Sequence, residues 1–299
     1  MAAHFGQYES IRTLLSEGAC IEARRQSDWG PYVKNGTDVV ENMVRALYQE
    51  RDKLDMHNLV GSTPLLRAAN NNYGRVVDLL LNCGADIEAR TFKGETASSL
   101  AADRGDAIMV RQLLIFGANP NARSEVYSES KVTHGLLTYS ESLEVPSTGG
   151  KTPLILAAIR GHPSVIKLLL AHGAEHKARA THTETALGAA ANAGHVNIVQ
   201  LLLERGAAIE STSQSGGTPL LKASTPSIVN WSDEEISRLL RTIQLLVESG
   251  ATLKERGFFD RTALARAAEA AIVNPWCGFF SGKEPMSTPE TTNGIHHGA

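Results

Sequence analysis

One short motif recurs along this chain at a fixed step, and that step limits the fold more than any other feature. A Thr-Pro-Leu or Thr-Ala-Leu triplet starts at Thr63, Thr152, Thr185, Thr218 and Thr262, and Thr96 joins them in Glu95-Thr96-Ala97. Thr63 to Thr96, Thr152 to Thr185, and Thr185 to Thr218 are each 33 residues apart. Self-similarity at that period belongs to a row of small supersecondary units, each too small to bury its own apolar face and therefore stacked on its neighbours.

Each residue type in the unit has a physical task. Pro64, Pro153 and Pro219 stand at a first helical position, where a fixed φ helps and a missing N–H costs nothing. The threonine before each can cap the helix. The small pairs Ala68-Ala69, Ala101-Ala102, Ala157-Ala158 and Ala190-Ala191 let two helices approach closely. A second apolar cluster follows, such as Val165-Ile166-Lys167-Leu168-Leu169-Leu170, with its inward stripe at helical spacing. The unit closes on Gly-Ala at 84, 117, 173, 206 and 250, where the glycine supplies a left-handed helix end. An alternating arm such as Asp86-Ile87-Glu88-Ala89-Arg90 then leads into the next unit.

The 33-residue period, the G-x-T-P-L opening, the Ala-Ala pair, Gly161-His162, Gly194-His195 and the L-L-L-x-x-G-A-x-I-E-A-R ending resemble the ankyrin repeat family. The resemblance runs, with interruptions, from about residue 2 to residue 272. It implies an all-α fold: an ankyrin-repeat solenoid of stacked helix–loop–helix units with short β-hairpin-like fingers. The family consensus carries His after Thr-Pro-Leu, where it ties the turn to its neighbour. Here those positions hold Leu66, Ser99, Ile155, Gly188, Leu221 and Ala265, so that histidine network is absent.

The same ruler divides residues 1–272 into a partial unit over 1–24, a degenerate one over 25–57, repeats at about 58–90, 91–123, 149–179, 180–212 and 213–256, and a partial unit over 257–272. In the degenerate stretch Pro31, Val44 and Leu47 keep the phase of Pro64, Val77 and Leu80, and a helix is expected from near Thr37-Asp38; a helical insertion of coincidental length is the alternative. Two interruptions stand out. Thr152 lies 29 residues beyond Arg123, against 6 from Arg90 to Thr96, so a Ser- and Glu-rich loop over 124–148 is inserted at a finger. Gly250 lies 27 residues beyond Ala223, against 16 from Ala157 to Gly173, and Ser232-Asp233-Glu234-Glu235 is a capping-box sequence that predicts a long helix to about Glu248. Past Ile272 the pattern stops, and 273–299 is expected to be a disordered tail. With half a unit wanting at each end, the array is expected to be part of a longer protein.

Composition excludes several functions. The net charge is −3 and no long basic run is present, so nucleic acid is not an expected ligand. No stretch approaches the ~18 apolar residues of a membrane span. Cys20, Cys83 and Cys277 have no paired spacing, which argues against a disulfide framework or structural zinc and for a reducing compartment, cytoplasm or nucleus. His172, His176 and His182 lie close together, but Gly173 interrupts the helix between the first two, so no metal site is assigned. His162 and His195 follow the inter-helix glycine, a structural position in the family. No phosphate loop, nucleophile elbow or paired-carboxylate motif appears, and Glu88 and Glu210 mark a repeat position. No catalytic residue and no cofactor is expected, and the chain is not expected to be an enzyme.

By resemblance, such arrays bind a partner protein with finger tips and the inner face of the first helices. At the tips these positions are Phe92, Lys93, Glu95, Lys151, Glu184, Phe258, Phe259 and Arg261, with Val60, Ser62, Thr183 and Ser215 alongside. On the first helices they are Asp103, Arg104, Ile159, Arg160 and Asn192, with Asn70 and Asn71. The expectation is a monomeric scaffold or adaptor that holds another protein. The alternative is the recognition part of a larger enzyme or signalling protein, with catalysis encoded elsewhere.

Overall fold

The computed structural model describes residues 2–22, 62–91, 93–124, 149–180, 184–213, 216–224, 233–257, 261–263 and 265. The expectations for 25–57, 125–148 and 273–299 lie outside the described residues. Among the described residues the chain forms helices and tight turns. In order they are α1 (Ala2–Ser16), α2 (Pro64–Asn70), α3 (Gly74–Asn82), α4 (Ala97–Arg104), α5 (Ala107–Ile115), α6 (Pro153–Arg160), α7 (Pro163–Ala171), α8 (Ala186–Asn192), α9 (Val196–Glu204), α10 (Pro219–Ala223) and α11 (Asp233–Glu248). From α2 to α11 they form five antiparallel pairs, and each pair packs on the next.

The recurring threonines start the first helix of each pair. The hydroxyls of Thr63, Thr96, Thr152, Thr185 and Thr218 accept from the backbone N–H three residues on, and Thr262 does the same for Ala265. At Thr96 the box is reciprocal, because the Ser99 hydroxyl accepts from the Thr96 N–H at 2.8 Å. Ser99 stands where the family consensus has histidine, and its short hydroxyl ties its own turn. The closing glycines are left-handed, with φ of 90° at Gly84 and Gly117 and 97° at Gly250. The alanine after each donates back to the carbonyl five residues before it, as Ala118 does to Leu113 at 3.0 Å. The long helix expected before Gly250 runs over Asp233–Glu248.

The core is a ribbon between the two rows of helices. From the first row come Leu65, Leu66, Leu154, Ile155, Leu187, Leu220 and Leu221, with all four alanine pairs; from the second come Val77, Leu80, Met109, Leu113, Ile166, Leu169, Val199 and Leu202, all buried. Each large side chain contributes roughly 1.5–3 kcal/mol on leaving water. The buried alanines set how closely neighbouring first helices approach.

The fingers close by one repeated backbone bond. The N–H groups of Thr91, Ser124, Ala180, Ser213 and Gly257 donate to the carbonyls of Glu95, Lys151, Glu184, Gly217 and Arg261, at 2.9 to 3.1 Å. Among the described residues, the closure at Arg179 and Thr185 alone extends to an antiparallel bridge.

Two further ladders join unit to unit. Arg90 and Arg179 donate to the carbonyls of Arg123 and Thr212, each 33 residues ahead. The recurrent acidic position of the sequence proves to be the second. Glu88 accepts from the Asn119 N–H at 2.7 Å and Glu210 from the Thr252 N–H at 2.6 Å, while Asn121 plays the same part for Glu175. Glu22 reaches the Asp86 N–H at 2.8 Å in the same manner. α1 therefore meets α3 directly, with Ile11 inside the shared core.

Candidate protein-binding face

The C-terminal ends of α4, α6 and α8 bring several of the expected contact residues into one row. Arg160, at the end of α6, donates from Nε and Nη2 to the two carboxylate oxygens of Asp103, at the end of α4, at 2.8 and 3.2 Å. The pair stays open to water: the Arg160 and Asp103 side chains are 59% and 34% exposed. Hydrogen bonding to Asp103 and its charge raise the Arg160 pKa. Exposed pairs of this kind stabilise a fold by little. Their value is a fixed, paired presentation of one cation and one anion.

The helix ends are held in place from behind. His162 Nε2–H donates to the Asp103 carbonyl, and His195 Nε2–H to the Ile159 carbonyl, each at 3.1 Å. Both rings rest on a glycine of the preceding unit. A Cβ on Gly105 would lie 2.4 Å from the His162 ring, and one on Gly161 would lie 2.6 Å from the His195 ring. The expected structural role of the two Gly-His pairs is thus visible in atomic terms. Desolvation lowers the His195 pKa, opposed by its bond to Ile159, with Arg238 and His162 adding charges of like sign.

The finger that precedes α4 lies beside this row. Thr91 Oγ1 donates to Glu95 Oε2 at 3.2 Å and accepts from the Lys93 and Glu95 N–H groups. Burial raises the Glu95 pKa against the lowering charge of Lys93, and the negative charge of Asp103 adds to the rise. Lys93, Glu95, Asp103 and Arg160 therefore form one mixed-charge cluster. Arg104, exposed, ends α4; Asn192, half-buried, ends α8; and Ile159 is half-buried beside Arg160.

Other expected contact residues lie apart from that cluster. Lys151 closes its finger through its backbone, and its N–H donates to the Ser124 hydroxyl at 3.1 Å. Glu184 accepts from Lys222 Nζ at 2.7 Å, an ion pair in which both side chains are three-quarters or more covered. Lys222 crosses Gly188 and Gly217 on its way there. Arg261 is exposed at the last closure. Phe92, Phe258 and Phe259, with Val60, Thr183 and Ser215, lie outside the described residues, and Ser62, Asn70 and Arg67 are buried. The sequence did not point to the Asp103–Arg160 and Glu184–Lys222 pairings, whose members are 57 and 38 residues apart.

As for chemistry, His172 uses Nδ1 on the Leu168 carbonyl at 2.9 Å, and His182 lies outside the described residues. Among the described residues no group of three His, Cys, Asp or Glu side chains could hold a metal ion. No described helix is long and apolar enough to cross a membrane.

A one-dimensional stack of capped helix pairs with charged groups fixed along its inner row defines a repeat-built protein-interaction module. A family model described as ankyrin repeats in three copies matches residues 32–124, 127–213 and 154–240. The chain belongs to the ankyrin repeat family. It is similar to Rabankyrin-5 of Mus musculus, 33% identical over 154 residues, 50% of this chain and 12% of that protein. It is also similar to NF-kappa-B inhibitor alpha of Sus scrofa, 28% identical over 137 residues, 46% of this chain and 38% of that protein. E3 ubiquitin-protein ligase XBAT33 of Arabidopsis thaliana is 32% identical over 110 residues, 37% of this chain and 17% of that protein. The chain spans less than half the length of the curated relatives it matches. Ankyrin repeats are protein-binding modules and carry no catalytic machinery themselves.

Proposed function

We propose that this chain is a scaffold or adaptor module that grips one partner protein along the inner row of first helices and the adjoining fingers, within the cytoplasm or nucleus. The observation that carries the proposal is the exposed Asp103–Arg160 pair, fixed from behind by His162 and flanked by Lys93, Glu95, Arg104 and Ile159. A surface of mixed charge with an apolar edge suits a protein epitope; it does not suit a polyanion, which calls for an unbroken basic track. Lys151, Glu184, Asn192 and Arg261 extend the row, and Phe92, Phe258 and Phe259 are its proposed aromatic anchors. No residue of this chain is assigned a catalytic role, and no cofactor is invoked.

The test begins with affinity purification of the partner from cells and continues with calorimetry on the purified pair. Arg160→Ala and Asp103→Ala are each expected to weaken binding about tenfold, roughly 1.4 kcal/mol, while leaving the melting curve unchanged. Unaltered affinity in both variants would remove the inner row from the contact. The second reading, recognition part of a larger enzyme, is favoured by the similarity to XBAT33, of which the matched segment is 17%. Full-length transcript sequencing separates the two: a catalytic domain joined to this array supports the second, and its absence supports the adaptor.

A further inference from the structure

The repeats supply their own control for what a solvent-facing position should carry. Nine positions before the closing glycine, four units place Arg75, Ser164, Asn197 and Arg241 on the second helix, and the unit of α5 places Ile108. Two positions before it, four units place Asn82, Ala171, Glu204 and Glu248, and α5 places Ile115. Phe116, one position before Gly117, replaces a cysteine, histidine, arginine or serine. These side chains do not serve the core, which α5 already fills with Met109, Val110, Leu113 and Leu114. Ile108 is 78% exposed, Ile115 72% and Phe116 38%; among the described residues only Leu253 joins them as an exposed large hydrophobic.

Ile108 and Ile115 are seven residues apart, two helical turns, and so form one ridge along the outer face. The flanks of the ridge differ in charge. On one side Gln112 Nε2 donates to the Gly74 carbonyl at 2.7 Å and to Asp78 Oδ1 at 2.5 Å, which places the carboxylate of α3 there. On the other side Arg111 is exposed, and α7 adds exposed Lys167. The remaining cation of α3, Arg75, lies over the Tyr8 ring at 5.9 Å.

We propose that a second copy of this chain packs on this ridge, with the two-fold axis running along α5. A two-fold interface brings one patch against itself. With the axis along the ridge, Ile108 and Ile115 meet their own copies, and each flank meets the opposite flank of the other protomer; Phe116, one turn beyond Gln112, borders the contact on the Asp78 flank. Arg111 and Lys167 of one protomer then face Asp78 of the other, twice over. The arrangement replaces the monomer expected from the sequence and leaves the inner row open for a partner protein. The ridge makes only the centre of the roughly 800 Å² per protomer that a stable interface buries, so association falls in the micromolar range.

Sedimentation velocity from about 1 to about 200 µM tests this. The mass of the chain is expected to climb from one protomer toward two. The double variant Ile108→Asn, Ile115→Glu, which carries residues that the α9 unit already has at these positions, is expected to stay at one protomer with an unchanged circular dichroism spectrum. Lys167→Glu is expected to weaken association about tenfold, and added salt to weaken the wild-type dimer. A wild-type chain that stays at one protomer throughout, or an Ile108→Asn, Ile115→Glu variant that associates as the wild type does, overturns the proposal.

Discussion

At the scale of the single residue, the junctions between units depend on glycines that a histidine of the next unit covers. Gly161 has φ of 83°, and its missing Cβ is where the His195 ring sits. Gly161→Ala therefore meets both a disfavoured backbone and an occupied space. It is expected to cost on the order of 1–3 kcal/mol in urea denaturation. His195 makes the same junction sensitive to acid. Its folded pKa is lowered, chiefly by desolvation, so below the usual histidine range the unfolded chain takes up a proton that the folded chain resists. Stability is fully present above the unfolded value of about 6.5 and falls as pH drops from there toward the lowered folded value. Denaturation midpoints at neutral pH and at about pH 5 should show that fall, and His195→Gln should make it smaller. The Gly-His pairs could be read as structural from the sequence through the resemblance to ankyrin repeats. The carbonyls they hold, at Asp103 and Ile159, were not legible, since they belong to the unit before.

At the scale of the element, caps and ladders decide where each helix starts and how units are spaced. Thr152 accepts from the Ile155 N–H, and Thr152→Ala is expected to cost about 1 kcal/mol, measured by thermal or chemical unfolding. Glu210 accepts from the Thr252 N–H across the junction between the α9 and α11 units. Glu210→Ala is expected to speed hydrogen exchange at the Thr252 amide while leaving α8 and α9 protected. Helices, caps and left-handed ends could be read from the sequence because each is encoded within a few residues. The ion pairs could not, because each joins non-equivalent positions of neighbouring units: Asp103 is 7 residues past Thr96 and Arg160 8 past Thr152, while Glu184 stands before Thr185 and Lys222 follows Thr218 by 4. Glu22 on Asp86 is a similar case: periodicity alone does not say that α1 and α3 are neighbours.

At the scale of the whole molecule, no helix pair closes a core by itself. Ile166 in α7 is fully buried among side chains of the shared cluster, and α7 packs on α5 on one side and α9 on the other. Stability in such a stack is a sum of unit terms and nearest-neighbour terms, so a defect in one unit is felt by those beside it. The inner row keeps its spacing only while those contacts hold, and binding by that row depends on the stack. The most direct measurement is hydrogen exchange, read by mass spectrometry, on the Ile166→Ala chain, where truncation removes roughly 2–5 kcal/mol of packing. Faster exchange in α5 and α9 as well as in α7, fading with distance along the array, is the predicted result. Faster exchange confined to 163–171, with α5 and α9 as protected as in the wild type, would contradict it.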